Sequence, residues 1–236
     1  MKYNYIIGDF CEKKIWGSHP EWLNCMSSFF ISIIPFIGLK YSNFKSKKIK
    51  NILSLLVIGG FTAFLYHWNG YYISKHLDEV PMILSIWLGL KKILTITKLH
   101  ICLQYMLNCY FVILLSINSI PSFNNYFPLL FTIPTLLLIP LLTKYFIFQQ
   151  NMCSNNSIIL GRNLCFKGIL ISISAALAWM LSEKYCNFIM IFGHSYWHLF
   201  FTLGMFYIMT SIDYLEQSIK NNKLSIKYYY NIPLLT

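Results

Sequence analysis

Charged residues are scarce in this 236-residue chain, of which only 11% is charged and just 8 residues are acidic. An ordinary soluble domain carries about 25% charged residues. The chain is 56% hydrophobic, with a mean hydropathy of +0.54. Its apolar runs are too long and too numerous for a soluble core. The composition therefore excludes an ordinary soluble domain and predicts one polytopic membrane protein.

An apolar leader is also missing from the start of the chain. The first 20 residues contain Asp9, Glu12, Lys13, Lys14 and Pro20. They lack the apolar h-region of a secretory signal, so we expect no cleaved signal peptide.

Seven apolar segments approach the length of about 20 residues that a helix needs to cross a bilayer. The third segment is the least regular, because Lys91 and Lys92 interrupt it. We expect either that this helix ends near Lys92 or that the Lys92 side chain snorkels to the membrane surface. The predicted fold is an all-α bundle of seven transmembrane helices. It comprises an N-terminal segment over 1–22, a membrane domain over 23–215 and a cytosolic tail over 216–236. The predicted spans cover residues 23–40, 49–71, 80–97, 101–120, 126–148, 164–182 and 195–215.

Lysines are distributed unevenly between the two sides of the predicted membrane. Most lie near residues 40–50, 91–98 and 144–167 and in the C-terminal tail. The positive-inside rule then predicts a lumenal N-terminus and a cytosolic C-terminus. This arrangement accounts for the net charge of +11 without a nucleic-acid partner. We expect a multi-pass protein in the bilayer of the endoplasmic reticulum or Golgi.

Three histidines lie at the predicted lumenal ends of apolar segments. His194 and His198 are four residues apart, so on a helix they share one face and can bind the same metal ion. His67 ends a different span on the same side. It would complete a three-histidine zinc site with a fourth position open for water. The alternative is a pair of histidines that pack or hydrogen-bond near the membrane interface.

Asp78 follows His67 after a short turn. Its carboxylate is a candidate general base for the water at the zinc site, with Glu79 as the rival. Asp78 is also predicted to cap the next helix, with Pro81 in the first turn. The two roles are compatible.

Three blocks of residues, in this order, resemble the alkaline ceramidases of the CREST superfamily of seven-span membrane hydrolases. The resemblance extends from Asp9 to about Tyr214. The blocks are Asp9-Phe10-Cys11-Glu12 with Glu21-Trp22-Leu23-Asn24 and Ser27, then His67 with Leu77-Asp78-Glu79-Val80-Pro81-Met82, and finally His194-Ser195-Tyr196-Trp197-His198.

The resemblance implies a zinc-dependent amidase that hydrolyses ceramide to a sphingoid base and a free fatty acid. It assigns the zinc to His67, His194 and His198 and the orientation of the water to Asp78. The expected partners are ceramide or a related sphingolipid and the lipid bilayer.

The resemblance also implies a calcium site in the N-terminal segment. Its ligands would be the carboxylates of Asp9, Glu12 and Glu21 and the backbone carbonyl of Phe10. Oxygen donors of this kind suit Ca²⁺. Without the family, the same residues favour a solvated acidic segment.

Two positions depart from the family pattern. Ala63 stands where the family has a serine four residues before the first zinc histidine, a serine thought to support the oxyanion. Thr62 or a water molecule is the candidate substitute. Lys14 stands where the family has a calcium-ligating asparagine, and an ammonium group cannot bind a cation.

Cys11 and Cys186 both fall on the predicted lumenal side, where disulfides persist. Alkaline ceramidases carry cysteines in the corresponding two places, and the resemblance agrees with a bond between them. The other five cysteines are predicted to be small apolar packing residues. The alternative is a pair of free thiols at the membrane surface.

Three other functions remain open at this stage. One is a related CREST lipid hydrolase or receptor-type member with another substrate, although the Asp9–Glu12 block favours the ceramidases. Another is a sphingolipid-binding pseudoenzyme, motivated by Ala63. The third is a transporter or channel that uses the histidine and aspartate cluster as a path for protons or metal ions.

Overall fold

The structure, a computed structural model, describes residues 10–17, 20–98, 101–120, 127–219, 225–229 and 232–236. Helices dominate these residues, and two short strands follow near the C-terminus. In chain order the elements are α1 Cys11–Trp16, α2 Trp22–Tyr41, α3 Lys47–Asn69, α4 Tyr72–Ile96, α5 Ile101–Asn118, α6 Phe127–Gln150, α7 Asn155–Lys184, a 3-10 turn at Met190–Phe192, α8 Gly193–Ile219, β1 Ile226–Tyr229 and β2 Ile232–Leu235.

The long helices α2 to α8 correspond one to one with the predicted apolar segments, and the all-α class is confirmed. In the described part of the chain, five of them are long and apolar enough to cross a membrane. A membrane protein is therefore supported, while seven spans stay a prediction. The five are Trp22–Tyr41, Lys47–Asn69, Ile101–Asn118, Leu130–Gln150 and Asn155–Lys184.

The prediction that Asp78 caps a helix is wrong. Gly70 ends α3 in the left-handed conformation, with φ of 64°, which suits a residue without a Cβ. The chain reverses there at once, and α4 begins at Tyr72. Asp78 therefore lies in the second turn of α4, and Pro81 lies inside the helix.

Neighbouring helices in the chain pack against each other, and α8 completes the bundle. The helix α3 packs between α2 and α4, and α7 runs along α8, which also contacts α2. The buried apolar core lies between these helices and includes Ile52, Leu53, Ile83, Leu90 and Phe206. This packing brings the end of α3, the start of α4 and the start of α8 to the same end of the bundle.

The opposite end of the bundle is held by buried charged groups. Lys92 does not snorkel but donates hydrogen bonds to Glu216 at 2.7 and 2.8 Å and to Ser46 Oγ at 2.8 Å. The fully buried Asp213 accepts the backbone N–H groups of Lys45 and Ser46, each at 3.0 Å. Its carboxylate thus satisfies donors at the start of α3 that have no partner within the helix.

The segment predicted as a tail folds back onto the bundle. Strands β1 and β2 pair antiparallel, with Ile226 opposite Leu235. All four residues of β2 are buried, and the strand packs against α8 and α2. The N–H of Asn43 donates to the carbonyl of Leu235 at 2.8 Å. The hairpin is absent from the sequence-based prediction, because strands this short give little periodic signal.

Candidate metal centre

Three helix ends supply the histidines of the site. His67 lies in the last turn of α3. His194 and His198 lie in the first two turns of α8, one turn apart on one face. Gly193 lets α8 start close against α7, because a Cβ there would lie 2.4 Å from the Cβ of Ser182 and 2.5 Å from the carbonyl oxygen of Ala178. The close contact fixes where α8 begins and therefore where His194 lies.

The three imidazoles lie close together. One ligand nitrogen from each of His67, His194 and His198 can be chosen so that all lie within 4.8 Å of one another. Their ring centroids are 5.0, 5.1 and 4.6 Å apart in the three pairs. All three residues are buried. This spacing allows three imidazoles to bind one metal ion.

Two polar side chains from α2 and its N-terminal flank hold the imidazoles in place. Glu21 Oε2 lies 2.6 Å from His67 Nδ1, and both side chains are 1% exposed. Ser27 Oγ lies 2.8 Å from His198 Nδ1. Metal-binding histidines use such contacts at one ring nitrogen to orient the other nitrogen toward the metal. In both rings the contact is made at Nδ1.

His194 supplies a further sign that the cluster fits a metal. Its Nδ1 is buried and has no hydrogen-bond partner among the described residues. A buried polar nitrogen without a partner is unfavourable and calls for an explanation such as an ion. Three imidazoles are a donor set that suits Zn²⁺, copper, iron or nickel, so the residues fit a transition-metal ion.

Asp78 and Glu79 differ in what they contact. Glu79 is 6% exposed and forms an ion pair with Lys75, one turn earlier in α4. Asp78 is partly exposed. Glu79 is therefore held in a close ion pair inside the bundle, whereas part of the Asp78 side chain can be reached by water or a substrate.

Ala63 lies one turn before His67 on the same face of α3 and is 1% exposed. Thr62, its candidate substitute, donates its hydroxyl hydrogen toward the carbonyls of Gly59 and Ile58, at 3.0 and 3.2 Å. Backbone carbonyls of its own helix therefore engage this hydroxyl. The expectation that Thr62 replaces the missing serine receives no support from these contacts.

The predicted calcium ligands have other contacts in the structure. Glu12 accepts the N–H groups of Leu23 and Asn24, at 2.7 and 3.0 Å, and so caps the start of α2. Burial raises the pKa of the Glu12 carboxyl above its usual range, and these two hydrogen bonds oppose the rise. The carbonyl of Phe10 accepts the N–H of Lys14 at 3.0 Å, in the first turn of α1.

The calcium site itself stays a prediction. Asp9, its first ligand, lies outside the described residues. Glu21 binds His67, as above, and the ammonium group of Lys14 lies 3.6 Å from Glu183. Lys14 therefore pairs with a carboxylate on α7. The ring of Phe10 packs on His194, with centroids 4.2 Å apart, and also lies beside His67.

The disulfide prediction is confirmed. Cys11 and Cys186 are bonded, with their Cα atoms 5.2 Å apart. Cys11 begins α1, and Cys186 lies between α7 and α8. The bond ties the segment that carries Phe10 and Glu12 to the connection that leads into His194. The side of the membrane on which it lies stays a prediction.

A narrow cavity of about 40 Å³ lies beside His198. Side chains from α2, α3, α4, α6 and α8 line it, and most of them are apolar. It has room for a short piece of an apolar chain rather than for a whole two-chain lipid. Apolar lining next to a metal centre is suited to a lipid substrate.

Sequence reasoning missed the roles of Glu21 and Ser27 beside the histidines. Both residues belong to the first block of the resemblance, which was the available signal. The resemblance implies a calcium-binding role for Glu21 and no role for Ser27. Their partners, His67 and His198, are 46 and 171 residues away in the chain, so no local pattern connects them.

Comparison with known proteins completes the assignment. A family model described as Ceramidase matches residues 7–236, which is nearly the whole chain. A search of the curated proteins finds no match. The family implies an amide hydrolase that acts on ceramide, and the membrane helices place such a lipid within reach. Because that match spans nearly all of its residues, the chain belongs to the ceramidase family.

Proposed function

We propose that this protein is a zinc-dependent ceramidase that cleaves the amide bond of ceramide at the three-histidine cluster. The observation that carries the proposal is the convergence of His67, His194 and His198, oriented by Glu21 and Ser27, in a chain of the ceramidase family. The products would be a sphingoid base and a free fatty acid.

In this proposal His67 and His198 hold the metal through Nε2, and His194 completes the set. A Zn²⁺ ion held there would supply Lewis-acid chemistry, which can activate an amide carbonyl and lower the pKa of water toward ~7. Glu21 keeps His67 in one orientation and one tautomer through its hydrogen bond to Nδ1. Ser27 does the same for His198.

Asp78 is the proposed general base. Its carboxylate accepts a proton from the attacking water and returns it to the nitrogen of the leaving amine. The contact of Glu79 with Lys75 favours this choice, since that carboxylate is already paired. The apolar side chains around the cavity bind the hydrocarbon next to the amide and exclude bulk water.

The proposed topology has seven spans, a lumenal N-terminus and a cytosolic C-terminus, in the endoplasmic reticulum or Golgi. The lysine distribution supports the orientation. The Cys11–Cys186 bond agrees with it, because disulfides persist in the lumen. A calcium site that includes Asp9, Phe10, Glu12 and Glu21 is part of the same proposal and rests on the resemblance.

The decisive experiment combines hydrolysis with metal analysis on the purified protein. We expect release of fatty acid from ceramide and about one zinc per chain. Chelation should abolish the activity, and added Zn²⁺ should restore it. A protein that hydrolyses ceramide at full rate without any metal would contradict the zinc part of the proposal.

The variant Asp78→Asn tests whether Asp78 is the general base. The amide keeps the shape of the carboxylate but cannot accept the proton, so we expect hydrolysis to be lost while the zinc content is unchanged. Glu79→Gln is the matched control and should retain most activity. A loss of only two- or three-fold in Asp78→Asn would assign the base role elsewhere, with Glu79 as the next candidate.

A second candidate function rests on Ala63, which removes a hydroxyl from the face of α3 that carries His67. In this alternative the protein binds sphingolipid and metal without turnover. Retention of zinc and ceramide without release of fatty acid, across acyl-chain lengths and pH values, would favour it.

A further inference from the structure

Asn24 lies in the first turn of α2, and the proposed function gives it no role. The residue is completely buried, and each of its four polar atoms has a partner among the described residues. Its backbone N–H donates to Glu12 at 3.0 Å. Its backbone carbonyl accepts the hydroxyls of Ser27 and Ser28, at 3.1 and 2.7 Å. A buried polar residue whose atoms are all paired is held firmly in one place.

The side chain of Asn24 bridges Glu21 and α8. Its Nδ2 donates to Glu21 Oε2 at 3.1 Å, and its Oδ1 accepts the hydroxyl of Ser195 at 3.1 Å. An ionised carboxylate can only accept hydrogen bonds, so the amide must turn its NH₂ group to Glu21 and its oxygen to Ser195. Aspartate and leucine, which are similar in size to asparagine, cannot make both bonds.

The Asn24 amide and the His67 imidazole contact the same oxygen atom. Glu21 Oε2 lies 2.6 Å from His67 Nδ1 and accepts the bond from Asn24 Nδ2. A carboxylate that is engaged from two directions has less freedom to turn, so the oxygen faces the ring from a fixed position. Asn24 therefore restrains the group that contacts His67.

The backbone carbonyl of Asn24 is related to His198 through Ser27. Ser27 Oγ lies 3.1 Å from this carbonyl oxygen and 2.8 Å from His198 Nδ1. A hydroxyl has one hydrogen, so when it donates to the carbonyl, its lone pairs are left for the imidazole N–H. Ser195 lies between His194 and His198 in the first turns of α8, so its bond to Asn24 ties this end of α8 to α2.

We propose that Asn24 is a positioning residue of the metal centre. It fixes the carboxylate of Glu21, and through it His67, and it holds the start of α8 against α2, so that the imidazoles are arranged before an ion binds. The inference rests on the proposed function, because it assumes that the histidine cluster holds Zn²⁺. Such preorganisation raises affinity, since less freedom is lost on binding.

The measurement is the affinity of the purified protein for Zn²⁺, by competition with a chelator of known affinity. Asn24→Leu removes both side-chain hydrogen bonds at similar size. Residues that orient metal ligands typically change the affinity 10–100-fold, and Asn24 acts one contact further out, so we expect a loss of about 3–10-fold. Asn24→Asp keeps the bond from Ser195 but turns an oxygen toward Glu21. It should also weaken zinc binding, and it gives the test if the first variant does not fold.

Ser28→Ala is the matched control. Ser28 is as buried as Asn24 and donates to its carbonyl, but its hydroxyl has no hydrogen bond to a histidine or to Glu21 in the described part of the chain. This variant should bind zinc as the wild type does, whatever its effect on the Tm. A loss of zinc affinity in the Asn24 variants but not in Ser28→Ala would therefore report on the metal centre rather than on the packing of α2.

A double variant separates positioning from a general loss of stability. If Asn24 acts through Glu21, its removal matters little once Glu21 is gone. Asn24→Leu added to Glu21→Ala should therefore cause less than about twofold further loss of zinc affinity, whereas independent effects would multiply.

Wild-type zinc affinity in both Asn24 variants, or an equal loss with and without Glu21, would overturn the inference. A wild type that binds zinc without hydrolysing ceramide would contradict the proposed function and leave this comparison intact. A wild type that binds no zinc would overturn both.

Discussion

Glu21 offers the sharpest test of the metal centre, because the structure gives it a contact that the calcium prediction does not include. Its Oε2 lies 2.6 Å from His67 Nδ1, and both side chains are buried. In Glu21→Gln the amide oxygen can still accept a hydrogen bond from Nδ1, but the negative charge is lost. The imidazole then becomes a weaker donor to the metal, and its orientation is less firmly fixed.

The expected loss of zinc affinity follows from the type of hydrogen bond that Glu21 makes with His67. A bond that involves a charged group contributes about 1.5–3 kcal/mol, and one between neutral groups about 0.5–1.5 kcal/mol. The difference is about 1–2 kcal/mol, and each 1.4 kcal/mol corresponds to tenfold in affinity. We therefore expect Glu21→Gln to weaken zinc binding by about 5–30-fold, which overlaps the lower end of the effects typical of such neighbours.

The assay is competition for Zn²⁺ against a chelator of known affinity, with purified protein in detergent at neutral pH. Glu183→Gln is the matched control, since Glu183 is partly exposed and pairs with Lys14 at 3.6 Å rather than with a histidine. It should bind zinc as the wild type does. A change of less than about twofold in Glu21→Gln would refute the orienting role. If thermal stabilisation by Ca²⁺ were lost instead, Glu21 would be a calcium ligand, as the resemblance implies.

Three further predictions concern other parts of the molecule. Ala63→Ser should raise hydrolysis by less than the 10²–10³ that one oxyanion donor can contribute, and an unchanged or lower rate would mean that the site works without a hydroxyl there. Cys186→Ser removes the bond to Cys11 and should lower the free energy of unfolding by about 2–5 kcal/mol; a reducing agent should lower the Tm of the wild type but not of the variant. The carboxylate of Asp213 accepts the N–H groups of Lys45 and Ser46 with its two oxygens. In Asp213→Asn one of these oxygens is replaced by an NH₂ group, which donates and cannot accept. We expect a cost of about 3 kcal/mol, seen as a fall in Tm of about 6–12 °C, and a normal Tm would show that this network contributes little.

Much of the fold could be predicted from the sequence, because each long helix is marked by a local property. An apolar run of about 20 residues signals a membrane helix whatever its neighbours are. The spacing of His194 and His198 works in the same way, since one helical turn joins them. Helix ends were less predictable. The turn at Gly70 starts α4 earlier than the apolar pattern indicates, which places Asp78 inside the helix.

Only the tertiary structure decided the contacts between distant parts of the chain. Glu21 and His67 are 46 residues apart, and Ser27 and His198 are 171 residues apart. The sequence offers each of these polar groups several equivalent partners, and the packing of α2 against α3 and α8 selects one. The sequence by itself therefore determined which residues can bind a metal, since ligand chemistry resides in the side chain. The packed helices decided which residues orient those ligands, because that depends on distances that no local pattern encodes.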